Sequence, residues 1–133
     1  MTLYVDTSAL LKRYISEHDS DVAEQLLNTD PLLVTCRLTE VELRRNLARL
    51  LAGDELLHAR RQAQADLNAF ALISIDSTTC NSAALIAEQT LCRSLDALHV
   101  AAARRTGDTT TFLTFDVRQA QTARSVGLVV IGA

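Results

Sequence analysis

Apolar residues gather in short runs near positions 2–6, 31–36, 71–75, 111–115 and 128–131, and between these runs they recur at helical spacing. Runs of this length suit buried strands, and recurrence every three to four residues suits helices with one buried face. The pattern predicts a first helix over about residues 8–16 and a second from about residue 20, capped by Ser20 and Asp21 and stopped by Pro31. A longer helix is expected over about residues 37–51, with Leu43, Leu47, Leu50 and Leu51 on one face. Gly53 interrupts it before "LLHARRQAQADLNAF" resumes, which predicts a helical hairpin. "SAALIAEQTL" and "SLDALHVAAARRTG" each read as a helix, the latter capped by Ser94 and closed near Gly107, and "RQAQTARSVG" reads as the last. Short strands alternating with helices need crossover connections, so an α/β architecture is expected, with helices on the faces of a mostly parallel sheet of about five strands.

Composition narrows the picture. The 133 residues suit a single domain, 1–133, with neither linker nor repeat. Hydrophobic residues at 48%, charged residues at 22% and few Gly and Pro exclude a disordered or fibrous chain. Cys36, Cys80 and Cys92 are odd in number and far apart, which supports neither a disulfide framework nor a zinc site and points to a reducing, cytoplasmic setting. No basic leader precedes an apolar stretch, and no run reaches the ~18 apolar residues of a membrane span, so no membrane role is expected. The net charge of -3 argues against a generic nucleic-acid coat. Apart from Lys12 every basic residue is arginine, and Arg44–Arg45, Arg60–Arg61 and Arg104–Arg105 stand in pairs that suit either phosphate oxygens or a solvated helix face.

Candidate chemistry rests on carboxylates. In open parallel sheets ligands sit outside the carboxyl ends of the strands, and Asp6 and Asp116 each follow a strand immediately. Asp6, in "VDTSAL", reads equally as a helix cap. Asp96 falls in the first turn of a helix, among Leu95, Leu98 and Ala102. Carboxylates brought together repel and raise one another's pKa values unless a cation offsets them. Oxygen donors without a thiol or imidazole cluster favour Mg²⁺ or Mn²⁺ over zinc, and such sites suit phosphodiester hydrolysis. Asp19, Asp21, Asp54, Asp66 and Asp76 read as caps, turns and solvated faces.

"LYVDTSALLKRY", "LTEVELRRNL", "RSLDALHVAAA" and "LTFDVRQAQTARSVGL", in this order and spacing, resemble the PIN-domain ribonucleases, and most closely the VapC toxins of prokaryotic VapBC toxin–antitoxin modules. The resemblance covers essentially the whole chain. It implies a three-layer α/β/α PIN-like fold and a Mg²⁺- or Mn²⁺-dependent endoribonuclease acting on structured tRNA or rRNA. It also implies inhibition by a small VapB-type antitoxin, with an antitoxin arginine entering the acidic site, and a homodimer. By motif, Asp6, Glu42, Asp96 and Asp116 match the family's metal-binding and catalytic carboxylates. Thr7, Ser8 and Thr114 match positions where hydroxyls assist. Some members carry a further Asp at the Thr114 position, so a fifth carboxylate is absent.

The glutamate assignment sets two readings against each other. Glu40 and Glu42 lie about 200° apart on a helix, and projection from the leucine stripe favours Glu40, whereas the motif selects Glu42. His99, three residues after Asp96, reads as a packed histidine or one that orders the site. Arg118 contacts a scissile phosphate or pairs with a carboxylate, and Arg44, Arg45 and Arg49 guide RNA or meet the antitoxin. A phosphotransferase of the haloacid dehalogenase type wants a second Asp where Ser8 stands, and a phospho-accepting receiver wants a late lysine that the chain lacks. The remaining alternative is a catalytically inactive PIN-like module that binds RNA or protein, which predicts missing carboxylates where all four positions are acidic.

Overall fold

Alternate side chains of a strand face opposite ways, and this chain uses both faces. The computed structural model describes residues 2–29 and 32–133. Strands β1 (Thr2–Val5), β2 (Leu33–Cys36), β3 (Ala71–Ile73), β4 (Thr110–Thr114) and β5 (Val129–Gly132) form one sheet in the order β3-β2-β1-β4-β5, with every pair parallel. The helices are α1 (Thr7–Leu11), α2 (Ser20–Leu27), α3 (Arg37–Leu50), α4 (Gly53–Ala69), α5 (Ser77–Thr90), α6 (Ser94–Arg104) and α7 (Val117–Ser125).

Leu3, Val5 and Leu113 point to one face, where they pack with Leu10, Leu27, Leu43, Leu47 and Leu67 of α1 to α4. Tyr4, Val34, Cys36 and Phe112 point to the other, against Ile86, Val100 and the alanines of α5 to α7. Two apolar clusters separated by one sheet make the three-layer α/β/α arrangement. Small residues on α6, Ala97 and Ala101–Ala103, are fully buried and let that helix lie close to the strands.

The chain runs outward from β1 to β2 and β3, then returns to lay β4 and β5 on the other side. The strand order therefore reverses between β1 and β4, and the crevice outside their carboxyl ends is where open α/β sheets bind ligands. Register fixes the lip of that crevice, with Val5 opposite Leu113 and Thr114 opposite Gly132. Gly132 is required there, because a Cβ at its φ of +103° would stand 2.3 Å from the Thr114 carbonyl oxygen.

Several boundaries differ from expectation. Helix α1 stops at Leu11, and the chain tightens through bonds from Arg13 and Tyr14 back to the carbonyls of Leu10 and Leu11. Asp19, not Ser20 or Asp21, holds the cap position of α2, and the Ser20 hydroxyl instead braces the preceding turn through Glu17 and Ile15. Pro31, and the start of the run expected at 31–36, lie outside the described residues. The α3–α4 hairpin forms as expected, with Gly53 at φ +59° at its corner. Leu50 is exposed, so the buried stripe of α3 is Thr39, Leu43 and Leu47. Helix α5 starts at Ser77, five residues early, because Asp76 caps it by accepting from the Thr79 N–H at 3.0 Å. Ser94 is the first residue of α6 and not its cap; Arg93 takes that position with an extended backbone.

Candidate active site

Asp6 ends β1 and starts α1. Its N–H donates to the Leu113 carbonyl of β4 at 3.1 Å, which ties the turn to the neighbouring strand. Its Oδ1 caps α1 by accepting from the Ala9 N–H at 3.1 Å and also accepts from the Ser8 hydroxyl at 2.7 Å, while Oδ2 accepts from the Thr114 hydroxyl at 2.6 Å. Helix cap and site carboxylate are thus one side chain. Asp6 is only 4% exposed. Burial raises its pKa above the ordinary carboxylate value, against the lowering effect of His99 and of the Thr114, Ser8 and Ala9 hydrogen bonds.

Glu42 reaches the same crevice from α3. Its Oε1 accepts from the Thr7 hydroxyl at 2.7 Å and lies 2.6 Å from Nε2 of His99. Glu40 is on another flank of the helix, 3.7 Å from Arg37, and does not line the cavity. Helical projection finds the centre of the core, whereas this cavity opens at the margin of the stripe, where α3 meets α1 and α6. The glutamate in the cavity is the one the motif selects, and its side chain is the more buried of the two, 25% exposed against 32% for Glu40.

His99 is buried on α6, with Nδ1 2.9 Å from the Tyr4 hydroxyl and 3.7 Å from Cys36 Sγ. Burial opposes charge on the imidazole, yet its hydrogen bonds with Cys36 and Glu42 outweigh burial and raise its pKa. Burial likewise raises Glu42, but the hydrogen bond and charge of His99 and the Thr7 hydroxyl bring its pKa below the ordinary value. Both shifts favour the charged forms of the pair, which Thr7 bonds on one side and Tyr4 on the other.

The other two carboxylates are held differently. Asp96 Oδ2 lies 3.1 Å from Nε of Arg93, and Asp116 Oδ2 lies 3.6 Å from the Nη2 of the same guanidinium. Asp116 also caps α7, its Oδ1 accepting from the N–H groups of Arg118 and Gln119 at 2.9 and 3.1 Å. The Thr114 hydroxyl accepts from the Asp116 N–H at 3.0 Å, so one threonine links Asp6 to Asp116. Ser8 adds to this link by accepting from the Phe115 N–H at 3.0 Å.

Asp6, Glu42, Asp96 and Asp116 line one cavity of about 310 Å³, together with Thr7 and Ser8. Thr114 lies behind them, fully buried. Arg118 does not line it and borders a neighbouring groove instead. Three further polar residues on the cavity wall escaped the sequence reading: Arg93, Asn46 and Gln119. Arg93 precedes Asp96 by three residues, a helical pairing distance. Asn46 follows Glu42 by one turn. Gln119 completes an Asp-x-x-Gln capping pattern.

Among the described residues no three His, Cys, Asp or Glu side chains are gathered closely enough to form a ready metal cage. The hydrogen bonds explain this spacing: Asp6 and Glu42 turn to hydroxyls and His99, and Asp96 and Asp116 turn to Arg93. The donor set still fits a hard divalent cation. All four groups offer oxygen, a carboxylate has about four lone-pair sites, and the bonds described engage only part of them.

The chain matches the PIN domain family over residues 3–125. It is 33% identical over 130 residues to Ribonuclease VapC46 of Mycobacterium tuberculosis, an alignment covering 97% of this chain and 95% of that one. Its fold is similar to the crystal structure of Mycobacterium tuberculosis VapC20, described as a sarcin–ricin loop cleaving toxin, with a TM-score of 0.74 at 18% identity and 96% of each chain covered. It is also similar to a chain of a toxin–antitoxin complex from Klebsiella pneumoniae, with a TM-score of 0.69 at 15% identity, covering 90% of this chain and 89% of that one. A domain match across nearly the whole length, joined to a relative that aligns almost end to end, assigns this chain to the PIN-domain family, among its VapC-type members.

Proposed function

We propose that this protein is a divalent-metal-dependent endoribonuclease toxin that hydrolyses structured RNA and is inhibited by a small VapB-type antitoxin. The observation that carries the reading is the convergence of four carboxylates from β1, α3, α6 and the end of β4 on one cavity at the strand-order reversal. Asp6, Glu42, Asp96 and Asp116 would hold Mg²⁺ or Mn²⁺. When bound, such an ion supplies charge at the scissile phosphate and an activated water.

The chain's own residues set the frame. Ser8 and Thr114 fix both oxygens of Asp6, and Thr7 and His99 fix Glu42, so half of the donor set is oriented before anything binds. Arg93 offsets part of the charge of Asp96 and Asp116 in the meantime. Its exposed guanidinium is free to turn to a phosphate oxygen once a cation takes over those carboxylates. The name of the VapC46 relative supports RNA as substrate. Aromatic side chains are few, and Tyr4 and Phe112 are fully buried. Without a stacking platform, recognition of a folded tRNA or rRNA by shape fits better than base-by-base reading. The toxin–antitoxin complex among the similar folds supports an antitoxin partner, whose arginine would compete for the carboxylates now held by Arg93. A homodimer completes the proposal, and light scattering that finds monomers at every practical concentration would remove that part.

The test is cleavage of total tRNA and rRNA by antitoxin-free protein with Mg²⁺, Mn²⁺ or EDTA, beside folded Asp6→Asn and Asp96→Asn proteins. Cleavage that EDTA and both substitutions abolish supports the reading. Equal cleavage by parent and variants rejects it, and no cleavage with metal bound turns the weight to a non-cutting PIN module.

A further inference from the structure

The turn between α5 and α6 departs from the rest of the chain in two ways. Among the described residues Leu91, which ends α5, is the one non-glycine residue with a positive φ, +56°, a conformation that a Cβ disfavours and that glycine or asparagine adopts more cheaply. Its side chain is also the most exposed of the large hydrophobics, at 87%. An apolar residue at such a helix end ordinarily packs back onto the last turn; this one stands in solvent. The turn beneath it is held firmly. The Leu91 N–H donates to the Ala87 carbonyl at 2.8 Å, and the Thr90 hydroxyl donates to the Ile86 carbonyl at 2.8 Å while accepting from the Cys92 N–H at 3.2 Å. Backbone strain kept at an exposed apolar side chain points to a use in binding. Leu91 lines a groove of about 560 Å³ between this turn and α7, within the ~300–1,000 Å³ usual for small-ligand sites. Arg93 and Asp96 belong both to this groove and to the acidic cavity, so the two are continuous. Arg118 lines the groove from α7, and among the described residues its guanidinium makes neither a hydrogen bond nor an ion pair. Asp96, the groove's single acidic residue among those described, already faces Arg93 at 3.1 Å. The Arg118 charge therefore stands unanswered within the groove.

We propose that this groove holds the RNA nucleotide adjoining the scissile phosphate, with that nucleotide's phosphate on Arg118 and its base against Leu91, an inference that rests on the nuclease reading above. The scissile phosphate belongs over the carboxylates beside Arg93, and the shared wall lets the strand pass from the cavity into the groove. A planar guanidinium suits a phosphodiester through a bidentate bond. Leucine carries no hydrogen-bonding group, so it supports a base without reading its edge. The groove thus positions the strand and leaves sequence unselected. Charge favours RNA over a protein segment here: every nucleotide brings a phosphate, so a strand cut in the cavity necessarily delivers a second anion nearby, whereas a peptide would need an acidic side chain at that one place.

Arg118→Ala and Leu91→Gly separate the two contacts. In cleavage of total tRNA with Mg²⁺, Arg118→Ala should raise the RNA concentration at half-maximal rate about tenfold and leave the single-turnover maximum within about threefold, because the contact forms with bound substrate and transition state alike. The penalty should shrink as KCl rises, as for any lost phosphate contact. Leu91→Gly should raise the same concentration about threefold with an unchanged salt dependence, and should melt at the parent's temperature or above, since glycine relieves the left-handed backbone. Mn²⁺ affinity by calorimetry should stay parental in both. A slowed maximal rate with unchanged half-saturation in Arg118→Ala would put that arginine on the scissile phosphate and overturn the assignment. Parental kinetics in both variants would overturn it too, while leaving the nuclease reading intact; if those variants also lose the co-purifying antitoxin, the groove belongs to the protein partner. A parent that cleaves no RNA with either metal would remove the nuclease reading and this inference together.

Discussion

The acidic cavity has two unlike halves. Asp6 and Glu42 are held by uncharged hydroxyls and a buried histidine, with both donors and acceptors fixed by the packing of β1, α1, α3 and α6. Asp96 and the Asp116 oxygen not used in capping α7 share a single arginine whose side chain is 61% exposed. The first half is paid for by the fold and stays in place whatever binds. The second is partly balanced by a solvated charge that a stronger cation or a phosphate can displace. Pre-organisation and responsiveness are thus assigned to different carboxylates of one site, and substitutions on the two sides should fail in different ways.

The largest expected effect comes from the rigid half. Asp6→Asn should lower metal-dependent cleavage by about 10³-fold or more, yet melt in EDTA at the parent's temperature or above. The sign follows from the raised Asp6 pKa: its buried charge destabilises the fold above the ordinary value of 3.8, and the neutral amide relieves this. A large drop in melting temperature would break the comparison, because Asp6 would then be structural. Next in size, His99→Ala strands Glu42 and Tyr4 and should cost about 2–4 kcal/mol in urea unfolding.

A smaller effect appears in the pH dependence. The His99 pKa is raised above 6.5, so its contribution is full below that value and is lost as pH rises through the folded pKa. The Glu42 pKa is lowered below 4.5, so its contribution is present above that value and is lost as pH falls through the folded pKa. The pair should therefore stabilise most between pH 4.5 and 6.5, the two ordinary values. Urea unfolding of parent and Glu42→Gln across pH should show their stability difference narrowing as pH rises beyond this window. Least of all, Arg93→Ala should leave the melting temperature unchanged, as expected for an exposed ion pair, while tightening Mn²⁺ binding seen by calorimetry. Weaker Mn²⁺ binding would show that Arg93 positions the carboxylates and does not compete for them.

These contrasts also explain what the sequence disclosed. Continuously buried apolar runs in "TLYV" and "TTFLT", each closely followed by an aspartate, were enough to place Asp6 and Asp116 at one edge of a parallel sheet. The fold class followed from the alternation of such runs with helical spacing, and the α3–α4 hairpin from the helical spacing on either side of Gly53. Helix α5 was read short because Thr78 and Thr79 interrupt the apolar pattern, although the Asp76 cap holds them helical. The His99 network was hidden for a different reason: Tyr4, Cys36 and Glu42 come from three separate elements, and His99 lies 95 residues from Tyr4. Arg93 sat in a familiar local pattern, an i,i+3 pair. Its significance depends on partners that only the folded chain brings near.

Parallel pairing of β1 with β4 has a consequence for timing. The Asp6 N–H bonds to Leu113, and both Asp6 oxygens depend on Ser8 and on Thr114, a residue 108 positions further on. A chain emerging from the ribosome with its amino end first can form the α3–α4 hairpin early, from neighbouring residues. It has no assembled acidic cavity until residues 110–116 have followed. Any nuclease activity is therefore withheld until β4 has been made and has paired with β1.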